Sequence, residues 1–311
     1  MRRMSILMII AVLLNAMALQ TAHAQDRPRR DGELMALLQL NCRDKVQEQK
    51  FQSALKSAPS SSLRRAEILV LYSQCLFRTK QRESDAVPLV QEAAQILPAN
   101  AGVLRHLGWA YFQQGRDQEA IEAYEGSLDL EPDAHTYGQL GFALMRAVSG
   151  PLVYSDPDTF NEYMARSEEQ LRRAISLSPD TPMFHSHLGT CLIGRGKQEE
   201  GIGELHRALD LIHTFTGWES PADRAFALAG LNLSLGQVYW GSGKKAEGER
   251  LMNLAVKQAP NERAREHLKL LGDSTMGRVP PSRRKADLKM TEDAMRKAIF
   301  DPFEEEASHD Q

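Results

Sequence analysis

The sequence predicts an all-α protein, a right-handed solenoid of stacked antiparallel helix pairs. Two observations predict this fold. A small residue is followed by another twelve positions later and by a proline twenty-four positions later, as at Gly108, Ala120 and Pro132. Apolar residues at helical spacing lie in both halves of this unit. One helical hairpin cannot bury its apolar face alone, so about three or more neighbouring hairpins must stack.

The same spacing recurs at two other places in the chain. Its residues there are Gly236, Gly248 and Pro260, and Gln74, Ala86 and Pro98. A further small residue follows nineteen positions after each start, at Ala93, Ser127 and Ala255. Small side chains let the two helices approach closely, and the proline ends the second helix. Gly115 predicts the turn between the helices.

Residues 101–134 carry "LGWAY", "EAIEAY" and "EP" in this register. The pattern resembles the tetratricopeptide repeat family, whose period is about 34 residues. The stretch from Leu235 to Pro260 is similar to it as well. The resemblance implies a TPR-like superhelix over 30–272. Its predicted units are 30–60, 67–100, 101–134, 134–180 with an insertion, 182–215 and 229–260, followed by a capping helix at 261–272.

The two ends of the chain differ from this pattern. The opening MRRMSILMIIAVLLNAMALQTAHA is typical of a signal peptide over 1–24, cleaved after Ala24. The alternative is an uncleaved anchor, but the apolar stretch falls short of the roughly 20 residues that span a membrane. We therefore expect a periplasmic or secreted protein with no transmembrane segment in the mature chain. Residues 273–311 are predicted to form a linker, a short helix over 286–299 and an acidic tail.

The charge of the mature chain argues against a nucleic-acid partner. Without the signal peptide the chain has 36 Lys and Arg against 41 Asp and Glu, a formal charge of −5. A nucleic-acid groove needs a basic surface that displaces counterions from phosphates. The sequence also contains no motif for a catalytic, cofactor-binding or metal site, so we expect neither an enzyme nor a bound cofactor.

The resemblance implies that the first helix of each pair lines a concave groove that binds an extended peptide or a helix of a protein partner. The groove candidates are Arg105, Trp109, Phe112, Phe142, Met145, Arg146, Met183, Ile193, Leu233, Gln237 and Trp240. Arginine in such a groove is suited to a carboxylate. Two alternatives remain: these side chains fill the spaces between neighbouring helices, or the helix over 286–299 occupies the groove. The two arginines are also suited to pairing with acids of the neighbouring repeat.

From this resemblance we expect an exported scaffold or adaptor that assembles or maintains a cell-envelope complex. A second hypothesis is a small-molecule or glycan site formed by the inserted loops around 150–163 and 213–220. Its aromatic walls are Tyr154, Tyr163, Phe215 and Trp218. A third is an enzyme regulator whose C-terminal helix and tail dock on another protein.

The two insertions and the cysteines make further predictions. The first insertion predicts an extra loop or short helix between the halves of its unit. After the second, Ser220 and Pro221 predict the cap and first position of a long helix. Cys42 and Cys75 lie close to one repeat apart, so an oxidising compartment favours a disulfide between them, provided that their Cα atoms come within roughly 7 Å. Cys191 is expected to be buried.

Overall fold

The computed structural model describes residues 32–40, 42, 44–77, 83–148, 156–218 and 220–278. Within these ranges every regular element is an α-helix. The helices are α1 (Gly32–Leu38), α2 (Lys45–Ser57), α3 (Leu63–Phe77), α4 (Glu83–Ile96), α5 (Ala101–Gln113), α6 (Asp117–Leu130), α7 (Ala134–Ala147), α8 (Pro157–Leu177), α9 (Pro182–Gly194), α10 (Gln198–Ile212), α11 (Pro221–Gly241), α12 (Lys245–Gln258) and α13 (Glu262–Thr275). The predicted signal peptide, the helix over 286–299 and the acidic tail lie outside the described residues.

From α3 onwards the helices pack as successive antiparallel hairpins. The pairs α3/α4, α5/α6, α7/α8, α9/α10 and α11/α12 have the most extensive contacts, and α13 packs against α12 and α11. Each second helix also contacts the first helix of the next hairpin. This arrangement confirms the predicted all-α solenoid.

The first helices form the more closely packed layer of the solenoid. They contact one another in series, from α3 through α5, α7, α9 and α11 to α13. Among the described helices, successive second helices make at most marginal contact with each other. A stack whose two layers differ in spacing curves toward the closer layer. The first helices therefore form the concave layer.

The small residues of the repeat are required by the close approach within each hairpin. A Cβ atom at Gly108 would lie 2.7 Å from the ring of Tyr124 on α6. Ser127 is buried, and its hydroxyl donates to the Ala101 carbonyl at 2.8 Å. Gly115 lies between α5 and α6 with φ 72°, a conformation that favours glycine. The predicted turn thus occurs where the sequence places it.

The N-terminal helices depart from the regular hairpins. Both α1 and α2 pack against α3, and the rings of Phe51 and Tyr72 stack at 4.9 Å between centroids. The structure joins Cys42 and Cys75 in a disulfide, with Cα atoms 5.7 Å apart. Cys191 is buried, as expected. Pro88 lies inside α4.

The two insertions lengthen helices at opposite edges of the stack. The first precedes α8, the second helix of its hairpin; Asp156 caps α8, so the extra residues from Pro157 add turns to it instead of forming a separate short helix. The second precedes α11, a first helix, where Ser220 is the N-cap and Pro221 the first residue, confirming the predicted long helix. Both helices have 21 residues. Each projects about 10 Å beyond its 14-residue partner.

No helix among the described residues combines the length and the apolar character that crossing a membrane requires.

Candidate functional site

All the predicted groove residues belong to first helices and hence to the concave layer. Arg105, Trp109 and Phe112 lie on α5, and Phe142, Met145 and Arg146 on α7. Met183 and Ile193 lie on α9, and Leu233, Gln237 and Trp240 on α11. Their surroundings differ, however, and only some of them face solvent.

Met145 and Leu233 are not available to a groove ligand. Their exposed fractions are 7% and 6%. Met145 packs in a core cluster that includes Met164 and Leu188, and Leu233 packs against Met252. In both places the side chain is turned into the contacts between helices, where burial of apolar area stabilises the stack. The groove prediction is wrong for these two residues.

The aromatic groove residues contact one another along the concave layer. Trp109 meets Phe77 of α3 edge-on, with centroids 4.6 Å apart. Phe112 lies 5.4 Å from Phe142, and the ring of Phe142 stacks on His187 of α9 at 4.4 Å. Because these rings link α3 to α5 and α5 through α7 to α9, they fill the spaces between neighbouring hairpins. The internal-packing alternative therefore describes them better than an open groove does.

Arg146 belongs to this same cluster. Its Nε donates to Asp117 Oδ1 at 2.6 Å, its Nη2 donates to the Phe112 carbonyl at 2.6 Å, and its guanidinium lies 3.2 Å from the centroid of the Phe112 ring. The side chains of Arg146 and Asp117 are only 18% and 20% exposed. We call Trp109, Phe112, Phe142, Arg146 and His187 the interlocked region, since each is held by a side chain of another helix.

Arg105 is held more loosely than Arg146. Its Nη1 lies 3.4 Å from Asp133 Oδ2, and the two side chains are 34% and 36% exposed. Burial raises the pKa of Asp133, but hydrogen bonds from Thr136 outweigh it and lower that pKa, so the carboxylate is ionised. Asp133 is also the N-cap of α7. Arg146 thus pairs with an acid of the neighbouring repeat, as the alternative predicts, whereas Asp133 lies at the end of the same predicted unit as Arg105.

Two histidines of the concave layer are uncharged at neutral pH. Burial lowers the pKa of His106 to about 4 and the pKa of His187 to about 4, because desolvation disfavours the imidazolium. Gln74 of α3 lies within hydrogen-bonding distance of the His106 ring, at 3.2 Å. The Nδ1 atom of His187 is buried and has no hydrogen-bond partner.

The concave face of α9 carries two exposed side chains. Met183 is 43% exposed, and Thr190, seven residues later on the same face, is also exposed. The Thr190 hydroxyl donates to the Ser186 carbonyl at 3.0 Å. We call Met183 and Thr190 the α9 patch. Thr190 was not among the sequence candidates, although it follows Gly189 as Trp109 follows Gly108, because the selection favoured aromatic and apolar types.

Toward the C-terminus, α13 ends the concave layer and packs against α11. Gln237 donates to Thr275 Oγ1 of α13 at 3.1 Å. Trp240 is partly buried and packs in the cluster that contains Leu268 of the same helix. Ile193 is likewise partly buried, beside Leu205 of α10. These three candidates lie in the layer but serve contacts between helices.

The aromatic residues of the insertions do not assemble into one site. The Tyr163 hydroxyl donates to Gln118 Oε1 of α6 at 3.1 Å, whereas Phe215 and Trp218 meet edge-on at 5.3 Å beside α10 and α11. Tyr154 lies outside the described residues. Since the described parts of the insertions lie at opposite edges of the stack, their described aromatic residues share no site.

A buried carboxylate, Glu168 of α8, was missed by the sequence reasoning. It is 7% exposed and accepts hydrogen bonds from Lys197 at 2.9 Å, from Arg172 at 3.0 Å and from Arg195. Burial raises its pKa, but the cations outweigh burial and lower it. The cluster joins α8 to the turn between α9 and α10, so it is a structural ion-pair network. No group of three or more His, Cys, Asp or Glu suited to a metal occurs among the described residues.

Comparisons with known proteins are consistent with this geometry. The family model of the tetratricopeptide repeat matches residues 101–134. No curated protein sequence matches the chain. TTC0263, a thermophilic TPR protein of Thermus thermophilus, is 17% identical, with a TM-score of 0.53 over 68% of this chain and 98% of that chain. A chain of the APC/C hetero-tetramer Cut9–Hcn1 is 15% identical, with a TM-score of 0.55 over 80% of this chain and 44% of that chain. At these identities the likeness shows the fold alone.

Proposed function

We propose that this chain, a tetratricopeptide repeat protein, is an exported scaffold that binds a protein or peptide partner on the concave face of α9 and its neighbours. The observation that carries the proposal is the α9 patch. It is solvent-exposed, lies at the middle of the concave layer, and belongs to a helix with no Asp, Glu, Lys or Arg. Its role is binding rather than catalysis.

The surroundings of the patch suit a macromolecular partner. The interlocked region holds α5, α7 and α9 in fixed relation, so the surface is organised before binding and little conformational entropy is lost. Methionine adapts its shape to different apolar side chains. The Thr190 hydroxyl already donates a hydrogen bond to its own helix. Burying it under a partner therefore adds little cost of desolvation. Together these features favour an extended segment laid across several helices.

The compartment is part of the proposal. The N-terminal sequence is typical of a cleaved signal peptide. The Cys42–Cys75 disulfide supports an oxidising compartment, since such bonds are rare in reducing cytosol. We infer that the protein acts in the cell envelope, where a rigid scaffold assembles or maintains a multi-protein complex.

The groove is tested by Met183→Glu in a capture experiment from a native envelope extract. The matched control is Leu177→Glu, because Leu177 is 55% exposed but lies on the second helix α8. We expect Met183→Glu to reduce capture of the specific partner roughly tenfold or more, since a charge at the centre of an apolar contact is poorly tolerated. The control variant Leu177→Glu should capture the partner as well as the original chain does. Equal capture by both variants contradicts the proposal.

The compartment is tested by the intact mass of the protein purified from its native host. We expect a chain that begins at Gln25 and whose mass rises by the two hydrogens of one disulfide on reduction. An uncleaved chain, or free Cys42 and Cys75 thiols, contradicts export to an oxidising compartment.

A further inference from the structure

Charge is divided between the two layers of the solenoid. The concave helices α5, α7 and α9 contain no Asp or Glu. The second helices α6, α8 and α10 each contain four or five. The protein as a whole is acidic, so this division leaves a stretch along the inside of the stack whose helices carry no acid; the acids that reach it are Asp133 and Asp117, which pair with Arg105 and Arg146. An acidic segment is repelled by the outer layer and accepted by the inner one.

The chain itself contains a segment of that kind. Its last twelve residues, 300–311, read FDPFEEEASHDQ and include five acidic side chains and two phenylalanines. We call this the acidic segment. Residues 279–299, which connect it to the solenoid, carry six Lys and Arg against three Asp and Glu. The sign of the charge therefore changes at about residue 300, and only the acidic segment complements the concave layer.

We propose that the acidic segment binds the concave layer of its own chain, over the α9 patch and Arg105, and thereby competes with the partner. This inference rests on the proposed function, because it assigns an intramolecular occupant to the same surface. In this contact the two phenylalanines of the acidic segment pack on Met183. One of its carboxylates replaces Asp133 as the partner of Arg105. The existing Arg105–Asp133 contact is long and one-third exposed, so it offers little resistance to exchange.

The connecting chain is long enough. The helix α13 ends the concave layer and contacts α11, so the α9 patch lies two helix spacings away, about 20 Å. The predicted helix over 286–299 spans about 21 Å, and the seven residues before it have a root-mean-square span of about 15 Å, so the connection covers this distance. Twelve extended residues cover at most about 40 Å, which is sufficient to pass from α9 to α5. At such a match of span and distance the effective concentration is in the millimolar range, so a weak contact suffices.

The test uses the full chain with a photoreactive phenylalanine analogue at position 190. The matched control carries the same photoreactive analogue at position 122, which is an exposed site on the acidic helix α6. We expect cross-links from position 190 to peptides within 300–311, on the same molecule and at least tenfold above the control. The variant Glu304→Gln/Glu305→Gln/Glu306→Gln should lower this yield at least fivefold, as should high salt. These substitutions lie outside the described helices.

Other outcomes overturn the inference. Equal yields from positions 190 and 122, or cross-links that join two copies of the chain, exclude the intramolecular contact. The partner assay separates this failure from failure of the proposed function. If Met183→Glu still abolishes capture while no cross-link forms, the groove binds a partner but not the acidic segment. If cross-links form as expected, the triple glutamine variant should capture the partner more strongly.

Discussion

The interlocked region and the α9 patch occupy the same layer, and Thr190 has the repeat position of Trp109 and Phe142, yet the two regions differ in what holds them. Phe142 lies between Phe112 and His187, each on a different helix. Met183 is 43% exposed. The difference teaches that a groove position becomes part of the contact between hairpins where neighbouring helices present side chains that meet it, as they do at Phe142, whereas Met183 stays exposed.

The largest effect should come from Phe142→Ala. The substitution removes the ring between two others and leaves a gap across three helices, so we expect the free energy of unfolding to fall by about 3 kcal/mol. Urea denaturation followed by circular dichroism measures it. A loss below about 1 kcal/mol would mean that the ring is not part of the stack and would remove the distinction between the two regions.

Arg146→Ala should have the next largest effect on stability. The substitution removes the donor that the Asp117 carboxylate and the Phe112 carbonyl share. The side chains of Arg146 and Asp117 are about four-fifths buried, so water replaces this donor poorly. We expect a loss of about 2 kcal/mol, between the values typical of buried and exposed pairs. The matched variant Arg105→Ala should cost less than about 1 kcal/mol in the same denaturation experiment. The reverse order would contradict the assignment of Arg105 as the loosely held arginine.

Acid should weaken the interlocked region through His187. Its pKa is about 4 in the folded chain against 6.5 as an ordinary value, so the unfolded chain binds more protons between these pH values. Stability therefore falls as the pH is lowered from 6.5 to 4, by about 1–2 kcal/mol for this partly buried ring. His187→Gln should flatten the pH dependence of the urea midpoint over that range. If the variant has the same pH dependence of the urea midpoint as the original chain, the pKa of His187 is not lowered in the folded state.

The smallest effect on stability is expected for Met183→Ala in the α9 patch. The side chain is nearly half exposed, so the free energy of unfolding should change by less than about 0.5 kcal/mol. Partner binding, in contrast, should weaken measurably in titration against the captured partner. A large stability loss without a change in binding would place Met183 among the packing residues instead.

The hairpins could be predicted in detail from the sequence, whereas the site could be predicted only in outline. The spacing of Gly108, Ala120 and Pro132 indicates the close approach within a hairpin because small residues are required there. The resemblance to the tetratricopeptide repeat indicated the concave helix of each unit. It did not identify Met145 and Leu233 as buried, because one apolar residue type suits both a groove and a core.

By itself the sequence determined the repeat unit: local spacing sets where each helix turns, where it ends and which face is apolar. Only the tertiary structure decided how the units share their surfaces. The insertions lengthen α8 and α11 at opposite edges, and the rings of α5, α7 and α9 close against one another while the α9 patch stays open. The physical reason is that packing between hairpins depends on the side chains of both partners, which lie about 30 residues or more apart in the chain.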